Sequence, residues 1–178
     1  MKVANKFLWS LCLAIMFTIL PNCMKAQSPA KIVVDKPNFQ IYVIQDTDTL
    51  FIAPVTTGEN AGQKQRVGDH RTPEGTFTVQ RIERTVDWPE YKTEEQAYNG
   101  GYGPYFIRLK TPKWRGIGIH GTNHPEKIGT HASEGCVRLK NEDLIQFKEF
   151  VFPGMVVEIL PDPTEAPLPE SSTDQPLP

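Results

Sequence analysis

The 178-residue chain has little cysteine, no excess of either charge and no long apolar run. Its 19 basic and 21 acidic residues give a formal net charge of −2, so no basic excess points to a nucleic-acid partner. The longest apolar run, residues 7–20, rises only about 21 Å as a helix, which is too short for the roughly 30 Å hydrocarbon core of a bilayer. The chain also has no internal repeat, P-loop or dinucleotide-binding fingerprint. With 39% apolar and 22% charged residues, the composition indicates one globular domain and excludes a multi-pass membrane protein.

The apolar run lies near the N-terminus, directly behind Lys2 and Lys6. A charged start, a short apolar core and a polar breaker are typical of a secretory signal peptide, rather than of a buried or membrane-anchoring helix. We therefore predict that residues 1–26 are a signal peptide and that the protein is exported to the periplasm or cell envelope. Cleavage after Ala26 gives a soluble product, whereas lipidation at Cys23, the alternative, would attach the protein to a membrane.

The rest of the chain divides at residue 160. Residues 27–160 carry 16 basic and 17 acidic residues, and this near neutrality is typical of a globular domain without a strong field of one sign. Residues 161–178 contain six of the 16 prolines, four acidic residues and no basic residue. This composition offers little that can pack, so we predict a disordered, Pro-rich acidic tail.

The globular part predicts a mainly β fold. β-branched and aromatic residues recur in segments that turn residues separate. The predicted strands cover residues 31–35, 39–45, 49–58, 76–83, 105–110, 115–120 and 155–160. Some of these segments are apolar on both faces, which indicates strands covered on both sides, as in a sandwich.

One main helix is predicted near the C-terminal end of the domain. Asn141 is its predicted cap and the Pro153-Gly154 pair ends it, while apolar residues recur on one face at Leu144, Phe147 and Val151. Two further segments, 58–75 and 85–104, are predicted loops. The second is long for a compact domain, and long excursions tend to be lids or binding loops.

Cysteine use points to one candidate nucleophile. Once the signal peptide is removed, the mature chain has a single cysteine, Cys136, which cannot form an internal disulfide. Gly135 before it allows a sharp turn and leaves a backbone amide near an attacked carbonyl. A histidine is needed as base, because a thiolate beside an imidazolium is the usual activated cysteine. His120 is favoured because a strand end fixes it, whereas His124 and His131 lie in the intervening loop.

Other interpretations of these residues stay open on spacing alone. The three histidines and the cysteine could together bind zinc, but no pair of them has a zinc-finger or HExxH spacing, so we expect no metal. A lone cysteine can also be a small buried apolar side chain without chemistry.

Four segments together resemble the L,D-transpeptidase family, whose catalytic domain is called YkuD. The HGT segment at 120–122 and the Ser-Glu-Gly-Cys-Val-Arg segment at 133–138 are similar to the family signature, in which Ser-x-Gly-Cys follows the histidine by some 16 residues. TPEGTF at 72–77 and GPYFIRL at 103–109 resemble the family's TPxGxF segment and the strand before the HGT turn. The resemblance spans residues 31–160, the whole globular part.

The resemblance implies a YkuD-like β-sandwich with Cys136 as nucleophile and His120 as general base, in a cleft under a mobile loop. We expect these two side chains within hydrogen-bond reach or slightly beyond it. The resemblance further implies an oxyanion hole built from the backbone amides near Gly135 and Cys136. The backbone carbonyl of Gly121 would orient the histidine.

Three neighbours are expected to shape the pocket. By the same resemblance Ser133 supports it, and Arg138 either meets a substrate carboxylate or makes a structural salt bridge. Glu134 departs from the pattern, because many members have histidine there. An acid that points inward at this position would raise the pKa of the neighbouring thiol.

The reaction that the resemblance implies is acyl transfer on peptidoglycan stem peptides, in cell-wall biogenesis and the control of cell shape. The thiolate attacks the third stem residue, D-alanine leaves, and the amine of a second stem resolves the thioester into a 3–3 cross-link. No cofactor is implied, and carbapenems are the expected inhibitors. Water as acceptor would instead give an L,D-carboxypeptidase or a hydrolase that frees wall-attached proteins. A non-catalytic wall-binding module is the alternative from another class.

Overall fold

A computed structural model of the chain describes residues 28–163. The predicted signal peptide, residues 1–26, and most of the predicted tail, residues 164–178, lie outside this range. Strands make up 36% of the described residues and helices 14%, so the prediction of a mainly β fold is confirmed. No helix within residues 28–163 is long and apolar enough to cross a bilayer.

Each predicted strand segment contains a strand, and the structure adds strands at 131–133 and 137–138 and a helix at 94–98, inside the predicted loop 85–104. The strands are β1 (Lys31–Asp35), β2 (Gln40–Gln45), β3 (Asp48–Pro54), β4 (Thr57–Gly58), β5 (Gly75–Arg84), β6 (Tyr105–Lys110), β7 (Gly118–His120), β8 (His131–Ser133), β9 (Val137–Arg138) and β10 (Val156–Ile159). The helices are α1 (Glu94–Tyr98) and α2 (Asn141–Lys148), with 3-10 turns at Thr85–Asp87 and Pro125–Lys127.

Eight strands form one sheet in the order β3-β2-β1-β10-β5-β6-β7-β9, and β4 pairs with β8 separately. Neighbouring strands in the large sheet are antiparallel, apart from the parallel pairs β1–β10 and β7–β9. The first and last strands of the domain are therefore neighbours inside the sheet, so folding brings the two ends of the domain together.

The two edges of the large sheet meet. β3 and β9 lie at opposite edges, yet Thr56, just after β3, exchanges two backbone hydrogen bonds of 2.9 Å with Arg138 in β9. The sheet must therefore curve back on itself, so that opposing parts of one face cover each other. This curvature produces two layers that cover the inner face of the sheet, as in the predicted sandwich.

The core lies on the inner face of the curved sheet. Ile41 and Val43 in β2 are fully buried, with the alternation expected of a strand that turns one face inward. Leu144 and Phe147 of α2 pack into the same cluster. Fully burying a side chain of this size stabilises the fold by about 1.5–3 kcal/mol.

The structure corrects the prediction for the main helix. Lys140 is the residue at the cap position, and Asn141 begins the helix with its amide engaged elsewhere. Its Oδ1 accepts the backbone N–H of Thr122 at 2.9 Å, and its Nδ2 donates to the carbonyl of Tyr98 at 2.7 Å. Asn141 therefore ties the end of α1 to the turn after β7. The helix ends at Lys148, so Val151 reaches the core from the following loop.

A buried ion cluster fastens Asp162 to Lys36 and to the loop 59–74, so the packed domain extends past residue 160, where the predicted disordered tail was to begin. The Nζ of Lys36, a residue that is 1% exposed, lies 2.6 Å from Glu74 Oε1 and 2.7 Å from Asp162 Oδ2. Asp162 also accepts the backbone N–H of Gly62 at 2.6 Å. Because a buried charge that loses its partner costs about 3–5 kcal/mol, these contacts fix the path of the loop.

Candidate active site

Cys136 is a free thiol on the tight turn between β8 and β9. Gly135 before it has φ 128°, a conformation that favours glycine, and a Cβ there would lie only 2.8 Å from the carbonyl oxygen of Arg71. Ser133 is buried and bonds across the turn, since its Oγ accepts the Gly135 N–H at 3.0 Å and donates to the Cys136 carbonyl at 2.5 Å. Ser133 therefore fixes the turn that presents the thiol.

The hydrogen bond to Ser133 corrects one expectation for the turn. The Gly135 amide was predicted to face an oxyanion, but its N–H donates to the Ser133 hydroxyl instead. Gly135 contributes the sharp turn, and its amide is not free in this conformation.

His120 is the last residue of β7 and is 2% exposed. Its Nδ1 lies 2.7 Å from the carbonyl oxygen of Gly121, the contact expected from the sequence. A carbonyl only accepts, so Nδ1 carries the proton and Nε2 keeps a free lone pair. The ring stacks on Phe106 with centroids 5.4 Å apart at 14°, and it contacts Tyr102 at 4.9 Å. The imidazole is therefore held in one orientation and one tautomer.

The thiol and the imidazole line the same cavity, which has a volume of about 460 Å³. The parallel pairing of β7 with β9 sets Ile119 opposite Val137, so the turn that carries Cys136 lies beside β7. The thiol donates to the carbonyl of Gly116 at 3.5 Å rather than to His120. The tertiary structure thus brings the two predicted reacting groups into one cavity, although they are not hydrogen-bonded to each other.

Burial keeps the imidazole neutral. It lowers the pKa of His120 to about 4. The hydrogen bond to the Gly121 carbonyl opposes this shift, and the positive charge of Arg138 adds to it. Above that pH His120 is available as a base.

Burial also keeps the thiol protonated. It raises the pKa of Cys136, against the opposing effects of the Gly118 backbone amide, Arg138 and Arg108. The carboxylate of Glu134, which lines the cavity, raises this pKa further, in the direction that the sequence predicts for an acid at this position. Both shifts favour a resting pair of neutral thiol and neutral imidazole over the expected thiolate and imidazolium.

The two predicted loops supply part of the cavity wall, and residues 114–117, between β6 and β7, supply another part that the sequence did not indicate. Trp88 and Tyr102 from the 85–104 excursion line the cavity, and so do Lys64 and His70 from the 58–75 loop. Trp88 also contacts Tyr102 with ring centroids 5.2 Å apart. Loop length and composition mark these segments in the sequence, but nothing local indicates which of their side chains face the cysteine.

The cavity is rich in positive charge. Lys64, Arg108, Arg115 and Arg138 line it, against the single carboxylate of Glu134. Lys64 is paired with Asp69 and Arg108 with Glu83, each at 2.6 Å, so Arg115 and Arg138 carry most of the uncompensated charge. Arg138 makes no salt bridge with any residue that the structure describes, and its buried Nε has no hydrogen-bond partner there. The structural salt bridge, one of the two roles predicted for Arg138, is therefore not formed among the described residues.

The other two histidines lie away from the thiol. His124 is exposed and its Nδ1 pairs with Glu126 at 3.1 Å. The Nδ1 of His131 lies 3.0 Å from Thr57 Oγ1 and 2.9 Å from the carbonyl of Gly58. In the part of the chain that the structure covers, no group of three or more His, Cys, Asp or Glu side chains is placed to hold a metal ion.

Comparison with known protein families decides the relationship. Residues 29–159 match the profile of the L,D-transpeptidase catalytic domain, YkuD. The chain belongs to the YkuD family. That match spans every strand of the fold and both sides of the cavity.

Relatives of this YkuD domain include several Bacillus proteins. The "Putative L,D-transpeptidase YkuD" of Bacillus licheniformis is 39% identical over 92 residues, which are 51% of this chain and 46% of that protein. The "Putative L,D-transpeptidase YqjB" of Bacillus subtilis is 28% identical over 133 residues, which are 74% of this chain and 71% of that protein. The chain thus spans about half the length of the first relative.

Solved structures share the YkuD fold. The helical cell shape determining protein Pgp2 from Campylobacter jejuni has a TM-score of 0.59 at 20% identity, over 76% of this chain and 48% of that one. L,D-transpeptidase 3 from Mycobacterium tuberculosis, in complex with a faropenem-derived adduct, has a TM-score of 0.54 at 19% identity, over 74% of this chain and 60% of that one. At these identities the likeness establishes the fold alone.

Replacing Gly135 by alanine is expected to destabilise this YkuD domain. The φ of 128° strains any other residue by about 1–3 kcal/mol, and the added Cβ meets the Arg71 carbonyl as well. Gly154→Ala is the matched control, because Gly154 has φ 90° but nothing within 4 Å of its Cβ position. Urea unfolding should give a larger loss of unfolding free energy for Gly135→Ala. Equal losses would show that the turn yields and does not press on Arg71.

Proposed function

We propose that the protein is an exported cysteine L,D-transpeptidase that joins peptidoglycan stem peptides through 3–3 cross-links. The observation that carries this proposal is the shared cavity of about 460 Å³, which Cys136 and His120 both line in a YkuD domain. Stem peptides are both donor and acceptor, and cell-wall biogenesis and cell shape are the processes served.

Acylation of Cys136 by the donor stem is the first half of the reaction. Sγ attacks the carbonyl carbon of the third stem residue, and its proton passes to His120 Nε2. Because the Gly121 carbonyl holds Nδ1, Nε2 is the nitrogen that accepts it. The C–N bond to D-alanine then breaks, and the leaving amine takes the proton from His120. Because Cys136 and His120 are both neutral at rest, the thiol proton must move to His120 while Sγ attacks, and not before the attack.

Two groups near the thiol are assigned to the substrate. Since the Gly135 amide is occupied by Ser133, we assign the oxyanion to the backbone amide of Cys136 itself. We assign Arg138 to a stem carboxylate, because its guanidinium lines the cavity with a buried Nε that lacks a partner in residues 28–163. An anion at that position would satisfy the unpaired donor. Thiol, imidazole and amide provide each step, so the proposal includes no metal or cofactor.

Product analysis tests this proposal. Purified protein is incubated with a disaccharide tetrapeptide from peptidoglycan, and the products are identified by mass spectrometry. We expect a dimer that has lost one D-alanine, with fragmentation that places the new bond between the two third residues.

The other outcomes separate the alternatives. Tripeptide without dimer would identify water as the acceptor and make the protein an L,D-carboxypeptidase. Unchanged substrate together with retention of the protein on peptidoglycan would replace the enzyme with a non-catalytic wall-binding module.

Export is part of the same proposal. The basic start and apolar core within residues 1–26 support removal after Ala26 and a place in the periplasm or cell envelope. The intact mass of the protein recovered from the envelope fraction tests this. The mass of a chain that starts at Gln27 would support cleavage after Ala26. The mass of a chain with a lipid on Cys23 would overturn that cleavage site.

A further inference from the structure

We propose that His70 is a second catalytic base in this cavity, which takes the proton of the acceptor amine when that amine resolves the thioester. The inference rests on the proposed function, because it requires an acyl group on Cys136. In this proposal His120 is the base for acylation of Cys136, and His70 is the base for transfer of the acyl group to the acceptor amine.

The fold places His70 beside the nucleophile turn. Its side chain lines the same cavity as Cys136 and His120. The next residue, Arg71, presents its carbonyl oxygen 2.8 Å from the position of a Cβ on Gly135. His70 is therefore one residue along the chain from a carbonyl that closely approaches the turn that carries the thiol.

The carboxylate of Glu59 orients the His70 ring. His70 Nδ1 lies 2.7 Å from Glu59 Oε2, and an ionised carboxylate only accepts, so Nδ1 donates and Nε2 is left for a ligand. Glu59 is in turn anchored to the site, because its backbone N–H donates to the carbonyl of Ser133 at 2.8 Å. A histidine held at its second nitrogen by a carboxylate is the arrangement of a positioned base.

Exposure separates the roles of the two histidines. The His70 side chain is 39% exposed, whereas His120 is 2% exposed and packed behind aromatic rings. An acceptor stem arrives from solvent with an alkylammonium group of pKa about 10.4, so it needs a base that it can reach. The backbone of His70 has φ 52°, and residues other than glycine that adopt this region cluster at functional sites.

The proposed step balances. The acceptor ammonium first releases one proton to solvent. The nitrogen lone pair of the resulting neutral amine forms a bond to the thioester carbonyl carbon, and one of its remaining protons passes to His70 Nε2. The C–S bond breaks, and its electron pair leaves with the sulfur. The Cys136 thiolate then gains a proton from solvent while the His70 imidazolium releases one. The net products are a new amide and the free thiol.

The experiment uses His70→Asn and follows both halves of the reaction with a disaccharide tetrapeptide. Asparagine tolerates φ 52° and removes the base without removing a polar side chain. We expect the variant to release D-alanine and to accumulate the tripeptide thioester on Cys136, visible by intact mass. Dimer formation should slow by about 10²–10⁴-fold, the usual contribution of a general base.

His124→Asn is the matched control. His124 is also an exposed histidine that pairs through Nδ1 with a glutamate, at 3.1 Å, but it does not line the cavity. We expect this variant to form dimer at the parent rate.

The outcomes separate the two proposals. Dimer formation at the parent rate in His70→Asn would overturn the second base and leave the proposed function intact. If Glu134→Gln lost dimer formation selectively and His70→Asn did not, Glu134 would be the base for the transfer step. That result would also overturn the role proposed for His70. A parent protein that never forms the thioester would overturn the proposed function itself.

Discussion

Cys136→Ala is expected to abolish covalent capture of a carbapenem. Imipenem carries a strained amide that a thiol opens, so the acyl-enzyme retains the whole inhibitor. Intact mass of the parent should show one imipenem for each chain, and the variant should show none. Cys136 is the last of three cysteines at positions 12, 23 and 136, and it is the one inside the domain. The loss is therefore complete rather than partial.

Folding of the variant is the control for this result. Cys136 is half-buried at a cavity wall, and its side chain donates one weak hydrogen bond of 3.5 Å to Gly116. Removing it should leave the thermal unfolding midpoint close to that of the parent. An adduct that persists in Cys136→Ala would contradict the assignment of the nucleophile. If the folded parent formed no adduct, the Cys136 thiol would not be one that a carbapenem can reach and acylate.

His120→Asn is expected to slow acylation by imipenem by about 10²–10⁴-fold at neutral pH, because the variant lacks the general base. Asparagine can still donate to the Gly121 carbonyl, which His120 Nδ1 now does at 2.7 Å, so the turn should persist. The rate is measured as adduct formation by intact mass, with His131→Asn as a control outside the cavity.

The difference in acylation rate between the parent and His120→Asn is expected to change with pH in one direction. Burial lowers the pKa of His120 to about 4, so the parent has its base in the neutral form above that pH. Burial raises the pKa of the Cys136 thiol, so a thiolate forms without a base only in alkaline solution. The deficit of His120→Asn should be large near pH 7 and shrink as pH rises towards the thiol pKa. A deficit that is constant with pH would contradict the neutral resting pair.

If the site works as proposed, the two half-reactions use different parts of the cavity. Acylation depends on β7 and the turn before β9, which are held by backbone pairing. Transfer depends on the 59–74 loop, which carries Glu59 and His70 and is fastened through Lys36 to the end of the domain. Acceptor choice can therefore vary with the loop while the nucleophile stays in place.

The sequence by itself determined most of the strands and the candidate pair, Cys136 and His120. The runs at 31–35 and 105–110 coincide with β1 and β6, because alternation and β-branched side chains are local properties of a strand. Cys136 and His120 could be selected as candidates because a glycine turn and a strand end are also local. The strand predicted at 115–120 is three residues too long at its start, since β7 covers Gly118–His120.

Only the tertiary structure decided what surrounds that pair. The role of Asn141 depends on backbone groups 19 and 43 positions away, so a local capping pattern gave the wrong partner. The contact of Arg71 with Gly135 and the entry of His70 and Trp88 into the cavity likewise join segments far apart in the chain. Burial, which sets the neutral charge state of the thiol and imidazole, is a property of the packed molecule. Local patterns specify elements and candidate chemistry, whereas the environment that tunes the chemistry exists only after the sheet has curved and the loops have closed over its edge.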